Sequence, residues 1–152
     1  MKKSAGILCY RWRGSHVDVF IVHPGGPFWK AKDKGAWSIP KGEYADGEDP
    51  LIAARREFQE ETGIEAVGKF QPLQEIKLKS GKRILAWLLE TDFDVAKIVS
   101  NTFEMEWPPR SGRMQQFPEI DKGDWFIIEE ARVKLNEAQA GLLDQLEKIL
   151  DA

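Results

Sequence analysis

Gly42-Glu43-Tyr44-Ala45-Asp46-Gly47-Glu48-Asp49-Pro50, followed by Leu51-Ile52-Ala53-Ala54-Arg55-Arg56-Glu57-Phe58-Gln59-Glu60-Glu61-Thr62-Gly63-Ile64, is the stretch from which the rest of the chain can be read. Asp46-Gly47 marks a turn, Asp49 is an N-cap residue, and Pro50 suits the first helical position because its missing N–H has no partner to lose there. The segment therefore predicts a helix from Pro50, stopped at Thr62-Gly63. Leu51, Ala54 and Phe58 line up as an apolar stripe on it. At about 100° per residue, Glu57, Glu60 and Glu61 fall within an arc of roughly 100° on an adjacent face. Like charges held that close repel, and a cation between them removes the repulsion. Oxygen-only ligands suit a hard divalent ion, Mg²⁺ or Mn²⁺, whose remaining coordination positions go to water and phosphate. Arg56 lies away from the apolar stripe, where it can pair with Glu48 and fix the loop to the helix. Gly42 lets the backbone approach closely enough for its carbonyl to reach the ion.

Gly42, Glu48, Arg56, Glu57, Glu60, Glu61 and Gly63, with apolar Phe58 and Ile64, resemble the Nudix box, G-x5-E-x7-R-E-U-x-E-E-x-G-U, at every fixed position. Seven fixed letters coincide by chance roughly once in 10⁸ starting positions at average residue usage, so coincidence does not explain the match. The resemblance covers residues 42–64 and implies an α/β/α sandwich with a mixed sheet, a catalytic loop-helix and a C-terminal helix. It also implies a Mg²⁺-dependent hydrolase that cleaves a diphosphate linkage in nucleotide substrates, with Glu57, Glu60, Glu61 and the Gly42 carbonyl at the metal and Arg56 and Glu48 in support. A general base is wanted as well. Glu57 is one candidate, and Glu104 or Glu106, on a later strand, is the other. Both of those glutamates equally fit the solvent face of a strand.

Trp37-Ser38-Ile39-Pro40-Lys41-Gly42-Glu43 is similar to the Pro-Lys-Gly variant found among dinucleoside polyphosphate and diphosphoinositol polyphosphate hydrolases. The chain departs from subgroup markers elsewhere. Its two tyrosines, Tyr10 and Tyr44, both precede or begin the box, and Ser80 stands near the place of the proline that marks many ADP-ribose hydrolases. The expected substrates are dinucleoside polyphosphates such as diadenosine tetraphosphate, then nucleoside triphosphates. The alternatives are RNA 5′ ends, diphosphoinositol polyphosphates, and a sensor module that binds nucleotides without cleaving them. Sensor modules typically lose box carboxylates, and this chain keeps them all.

Length and composition agree. The 152 residues suit one domain, and 42% hydrophobic with 31% charged residues suits a soluble globular protein. A net charge of −3 gives no global pull toward nucleic acid or anionic membrane, so a polyanion must be met by a local patch. Between His23 and Gly42 stand Lys30, Lys32, Lys34 and Lys41 against the single acid Asp33. Lys32 and Lys41 there, with Arg110 and Arg113 in a second loop, are the candidate substrate contacts. Trp29, Trp37, Trp107 and Trp125 are candidates for base stacking, although packing is the commoner role. His23 reads as a structural histidine and Cys9 as core. Without a leader-like segment or an apolar run of membrane-spanning length, a cytoplasmic location is expected.

Along the chain, Ser4 to Arg11 and Val17 to His23 read as a hairpin around Gly14-Ser15. Residues 24–35 read as a loop and Ala36 to Ile39 as a short strand. Strands are expected at Lys69 to Lys77, Arg83 to Thr91 and Thr102 to Trp107, and a helical turn within Asp124 to Val133. Asn136, with Gln139 in a capping box, is expected to start a terminal helix whose apolar stripe is Leu142, Leu143, Leu146 and Leu150.

Overall fold

Alternation of apolar side chains in the first strand forces a two-sided arrangement. In the computed structural model, which describes residues 2–151, β1 (Lys3–Arg13) has every position from Ser4 to Cys9 buried, so both of its faces need cover. Met1 and Ala152, the ends of the expected single unit, lie outside the described residues. Ala5, Ile7 and Cys9 point to one layer, with Phe20, Ala53, Ala54 and Phe58, while Leu8 points to the other, with Val19, Ile21, Leu142, Leu143 and Leu146. Burial pushes the Cys9 thiol far above its ordinary pKa, as a core role requires.

The remaining elements are β2 (His16–Pro24), β3 (Lys41–Glu43), α1 (Pro50–Thr62), β4 (Phe70–Pro72), β5 (Ile76–Lys77), β6 (Arg83–Glu90), β7 (Thr102–Glu106), β8 (Met114–Pro118), β9 (Ile120–Ile127), α2 (Ile128–Lys134) and α3 (Ala140–Asp151). The main sheet runs β4-β6-β1-β2-β9, with β3 also on β1 and β5 also on β6. It is mixed, because β1 and β6 are parallel and the other pairs antiparallel. Helix α1 packs on one face and α3 on the other, giving the expected sandwich. No helix among the described residues is long and apolar enough to cross a membrane.

Several local expectations need correction. Residues 36–39 form isolated bridges at Trp37 and Ser38 instead of a strand, because the Ile39 amide donates to Gln139 Oε1 at 3.0 Å and Pro40 has no amide to offer. The strand that reaches the site is β3. The expected strand at 69–77 is split into β4 and β5: Pro72 lacks a donor, and the Gln74 amide is taken by Gln145 Oε1 of α3 at 2.6 Å. The region 124–133 contains the end of β9 and all but the last residue of α2, and β9 was hidden by the polar run Asp121-Lys122-Gly123-Asp124. Asn136 caps a single 3-10 turn (Glu137–Gln139) that leads into α3. Gln139 does not close a capping box; it is buried, and its amide also donates to Ser38 Oγ at 3.0 Å. The strand expected at Thr102 leaves the main sheet and pairs with β8 as a separate two-stranded ribbon.

Candidate active site

Helix α1 is fixed at both ends before any chemistry is placed on it. Asp49 accepts from the amides of Leu51 and Ile52 at 2.9 and 3.1 Å. Gly63, in the left-handed region at φ 73°, returns its N–H to Gln59 O at 2.7 Å. Ala53, Ala54, Phe58 and Thr62 are buried beneath it, while Leu51 is only half-buried, so the apolar stripe is broader than Leu51, Ala54 and Phe58. This seating turns the acidic face toward β3.

Gly42 is paired with Ala5, and a Cβ there would overlap the Glu57 carboxylate. Glycine is thus required by the close approach of an acid, and the Gly42 backbone lies directly against that acid. Glu61 Oε1 accepts from the Lys41 amide at 3.3 Å, so adjacent residues of β3 meet two carboxylates of α1. Arg56 pairs with Glu48, as expected from the sequence, and its guanidinium also lies 3.3 Å from Glu57 Oε1 and 3.7 Å from Glu60 Oε1. Glu48 in turn accepts from the Ala45 amide at 3.4 Å, which ties the loop to the helix.

Burial, with the charges of Glu119 and Glu57 added, pushes the Glu61 carboxyl up to about 8. Burial likewise raises Glu57, helped by Glu60 and Glu48 and opposed by Arg56, and raises Glu119, helped by Glu57 and Glu60. Lys41 is lowered by its own burial and by the nearby Lys82 charge, against the pull of Glu61, Glu43 and Glu57. Glu61, Glu119 and Lys41 line one cavity of about 170 Å³, whose walls are otherwise largely apolar, with Val22, Pro24, Ile39 and Ile120 among them.

Glu119 is the acid that sequence reading missed. It follows Pro118 at the crossing from β8 to β9, where no periodicity marks it; its backbone is fixed by Gly25 N donating to Glu119 O at 2.9 Å and by Glu119 N donating to Asn101 O at 2.8 Å. Glu104 and Glu106 are exposed and engaged within the ribbon. Gln116 Nε2 approaches Glu104 at 3.5 Å, and the Glu106 carboxylate accepts from Arg110 N at 2.7 Å and Gly112 N at 3.3 Å. Lys32 lies over the Trp29 ring, 5.2 Å from its centroid, and Arg110 and Arg113 occupy the ribbon tip. Trp37 and Trp125 are packing residues, their indole N–H groups donating to Asp33 at 2.7 Å and to Phe93 O at 3.3 Å. His23 is buried, with Nδ1 2.8 Å from Asp121 and Nε2 2.5 Å from Lys32 O, a structural latch on the 24–35 loop.

A capped helix that sets Glu57 against Gly42 and Glu61 against the Lys41 amide, in a mixed-sheet sandwich, is matched by the NUDIX domain profile over residues 2–146. The chain belongs to the Nudix family. Among curated relatives, the bis(5′-nucleosyl)-tetraphosphatase [asymmetrical] of Rattus norvegicus is 42% identical over 66 residues, 39% of this chain and 45% of that protein. The RNA pyrophosphohydrolase of Caulobacter vibrioides is 39% identical over 57 residues, 34% of this chain and 33% of that one. The first such relatives are matched over less than half of their length. Among solved structures, a C. elegans Ap4A hydrolase binary complex superposes with a TM-score of 0.65 at 21% identity, over 97% of this chain and 98% of that one, which establishes the fold.

The carboxylates suit a hard divalent cation. The donor set is all oxygen, and Glu61 is buried, with Glu119 and Glu57 adding negative charge and the Lys41 amide and ammonium opposing it. Among the described residues, no three acidic, histidine or cysteine side chains are already gathered into a cage. Mg²⁺ takes one or two carboxylates and fills its other positions with water and substrate phosphate.

Proposed function

We propose that this Nudix chain is a divalent-metal-dependent hydrolase of diphosphate linkages in nucleotides, acting on dinucleoside polyphosphates first and nucleoside triphosphates second. The observation that carries the reading is the meeting of Glu61, Glu119 and Lys41 in one partly buried cavity, with Glu57 set against the adjoining Gly42 and adding its charge to both acids. Glu57, Glu60, Glu61 and the Gly42 carbonyl would hold Mg²⁺ or Mn²⁺, with Glu119 in the same cavity as Glu61. Bound there, the cation supplies neutralising charge to the phosphoryl oxygens and polarises an attacking water.

The chain's own residues do the rest. Arg56 holds Glu57 and Glu60 on one side and Glu48 on the other, so the acidic face keeps its orientation while substrate enters. Water attacks one phosphorus, the bond from that phosphorus to the bridging oxygen breaks, and the far phosphate departs with that oxygen. Glu119, its proton affinity raised by burial and by Glu57, takes the proton from the water. It replaces Glu104 and Glu106 in that role, because their carboxylates serve the ribbon. Lys41, held near Glu61, Glu43 and Glu57, places an ammonium beside the phosphate oxygens. The 152 residues act as one domain in this reading.

Incubation with Mg²⁺ and a panel of diadenosine tetraphosphate, nucleoside triphosphates, ADP-ribose and 5′-triphosphorylated RNA, with products separated by ion exchange, tests it. The expected outcome is a nucleoside triphosphate among the products of diadenosine tetraphosphate and weak turnover of ADP-ribose. Higher kcat/KM for ADP-ribose than for every polyphosphate would overturn the substrate class. Binding without hydrolysis of any diphosphate would make the chain a sensor. Cleavage of RNA 5′ ends is the second reading, favoured by the partial likeness to the Caulobacter protein.

A further inference from the structure

Loop 24–35 carries two large aromatic side chains outward, Phe28 at 62% and Trp29 at 40% exposure. Their position is built. A Cβ at Gly25 would overlap Pro118 O, and Gly26, at φ 96°, lies against the Phe103 ring. The loop therefore runs outward along the ribbon, from Glu119 past Phe103, until Phe28 meets Trp107 edge to face with centroids 5.7 Å apart. At the same tip, Trp107 N donates to Arg113 O at 2.9 Å, and Arg110 is held in the left-handed region at φ 62° by Glu106. Arg110 and Arg113 are anchored there through their backbone amides, Arg110 N on Glu106 and Arg113 N on Ser111 Oγ at 3.2 Å.

The root of the ribbon is tied to the acidic helix through Asn101 N donating to Glu60 O at 2.8 Å. From Thr102 to Trp107, a strand rising about 3.3 Å per residue spans roughly 16 Å. A diphosphate seated at the carboxylates does not reach that far, whereas a chain of several phosphates ending in a second nucleoside does. The exposed Phe28 ring against half-buried Trp107, at the same ribbon tip as Arg110 and Arg113, matches a heterocyclic base and the phosphate next to it. We propose that Phe28 and Trp107 form a second-nucleoside subsite, where the base at the far end of the phosphate chain stacks while Arg110 and Arg113 meet the adjoining phosphate. The proposal rests on the diphosphate-hydrolase reading above and adds the residues that select a second nucleoside.

The test uses the full chain with Mg²⁺ and compares kcat/KM for diadenosine tetraphosphate with kcat/KM for ATP. Phe28→Ala should lower the ratio of the two about tenfold, the scale expected for one lost stacking contact. Phe28→Leu, which keeps an apolar contact on Trp107 but has no aromatic face, should lower it as much, and Phe28→Tyr should restore it. Arg110→Ala combined with Arg113→Ala should lower it further. An unchanged ratio in Phe28→Ala, or full retention in Phe28→Leu, would overturn the subsite and reduce the contact to packing. A loss confined to 5′-triphosphorylated RNA would overturn it in favour of a polynucleotide. If the wild type hydrolyses neither nucleotide, the failure belongs to the hydrolase reading. Calorimetric binding of diadenosine tetraphosphate and ATP to wild type and Phe28→Ala then decides the subsite alone, by the same ratio.

Discussion

Around Gly42 the acidic groups are partly buried and carried by a helix capped at both ends, whereas along the β7–β8 ribbon the glutamates, arginines and aromatic residues are exposed and held by turns and loop contacts. The two regions share a root at Asn101 and Glu119. The difference teaches where charge has consequences. A carboxylate in the cavity feels its neighbours through little water, so each one changes the others, while a carboxylate on the ribbon is screened and serves its own turn. Chemistry belongs on the rigid, desolvated side, and selection of a partner group can be left to the exposed side.

The comparison breaks most readily at Glu61. Glu61→Gln removes a charged oxygen without changing volume, and turnover should fall at least about a hundredfold with the fold intact. Steady-state kinetics at saturating Mg²⁺ checks it, and retention of more than about a third of wild-type turnover would remove Glu61 from the site. Glu119→Gln should come next, lowering kcat about ten- to a hundredfold with a smaller change in KM, as expected for loss of a proton acceptor. A change in KM alone would make Glu119 a substrate contact. The smallest effect belongs to the ribbon: Glu106→Gln should leave kcat within about twofold, since its carboxylate binds the amides of Arg110 and Gly112. A loss in Glu106→Gln as large as that in Glu119→Gln would return the base to β7.

The contrast also marks what could be read in advance. Helix α1 was legible because every determinant is local: Asp49-Pro50 at its start, Thr62-Gly63 at its end, three glutamates on one face, and Arg56 within reach of Glu48. Glu119 was not legible, since its placement depends on Gly25 and Asn101, residues remote from it in sequence. Strand β8 was hidden because Gln115 and Gln116 are both exposed and give no alternation. At Gln139 the local reading as a capping residue lost to a tertiary one, because its amide satisfies the Ile39 backbone amide and Ser38 Oγ in the interior.

The central claim is that the α1 carboxylates are crowded against Gly42 to receive a cation, and thermal melting tests it directly. Glu61, raised from 4.5 to about 8, is protonated in both folded and unfolded states at low pH. Above pH 4.5 the unfolded chain loses that proton more readily than the folded one, so its contribution to stability declines as pH rises toward 8. In EDTA, the wild type should therefore melt lower at pH 8 than at pH 5.5, and Glu61→Gln should show a flatter profile. A divalent ion that binds only the folded state should raise the wild-type Tm at pH 8 by about 5 °C or more at a hundredfold excess over Kd, and raise Glu61→Gln much less. If Glu61→Gln melts lower than wild type in EDTA and keeps the full Mg²⁺-induced rise, the carboxylate is a structural partner and the cation binds elsewhere.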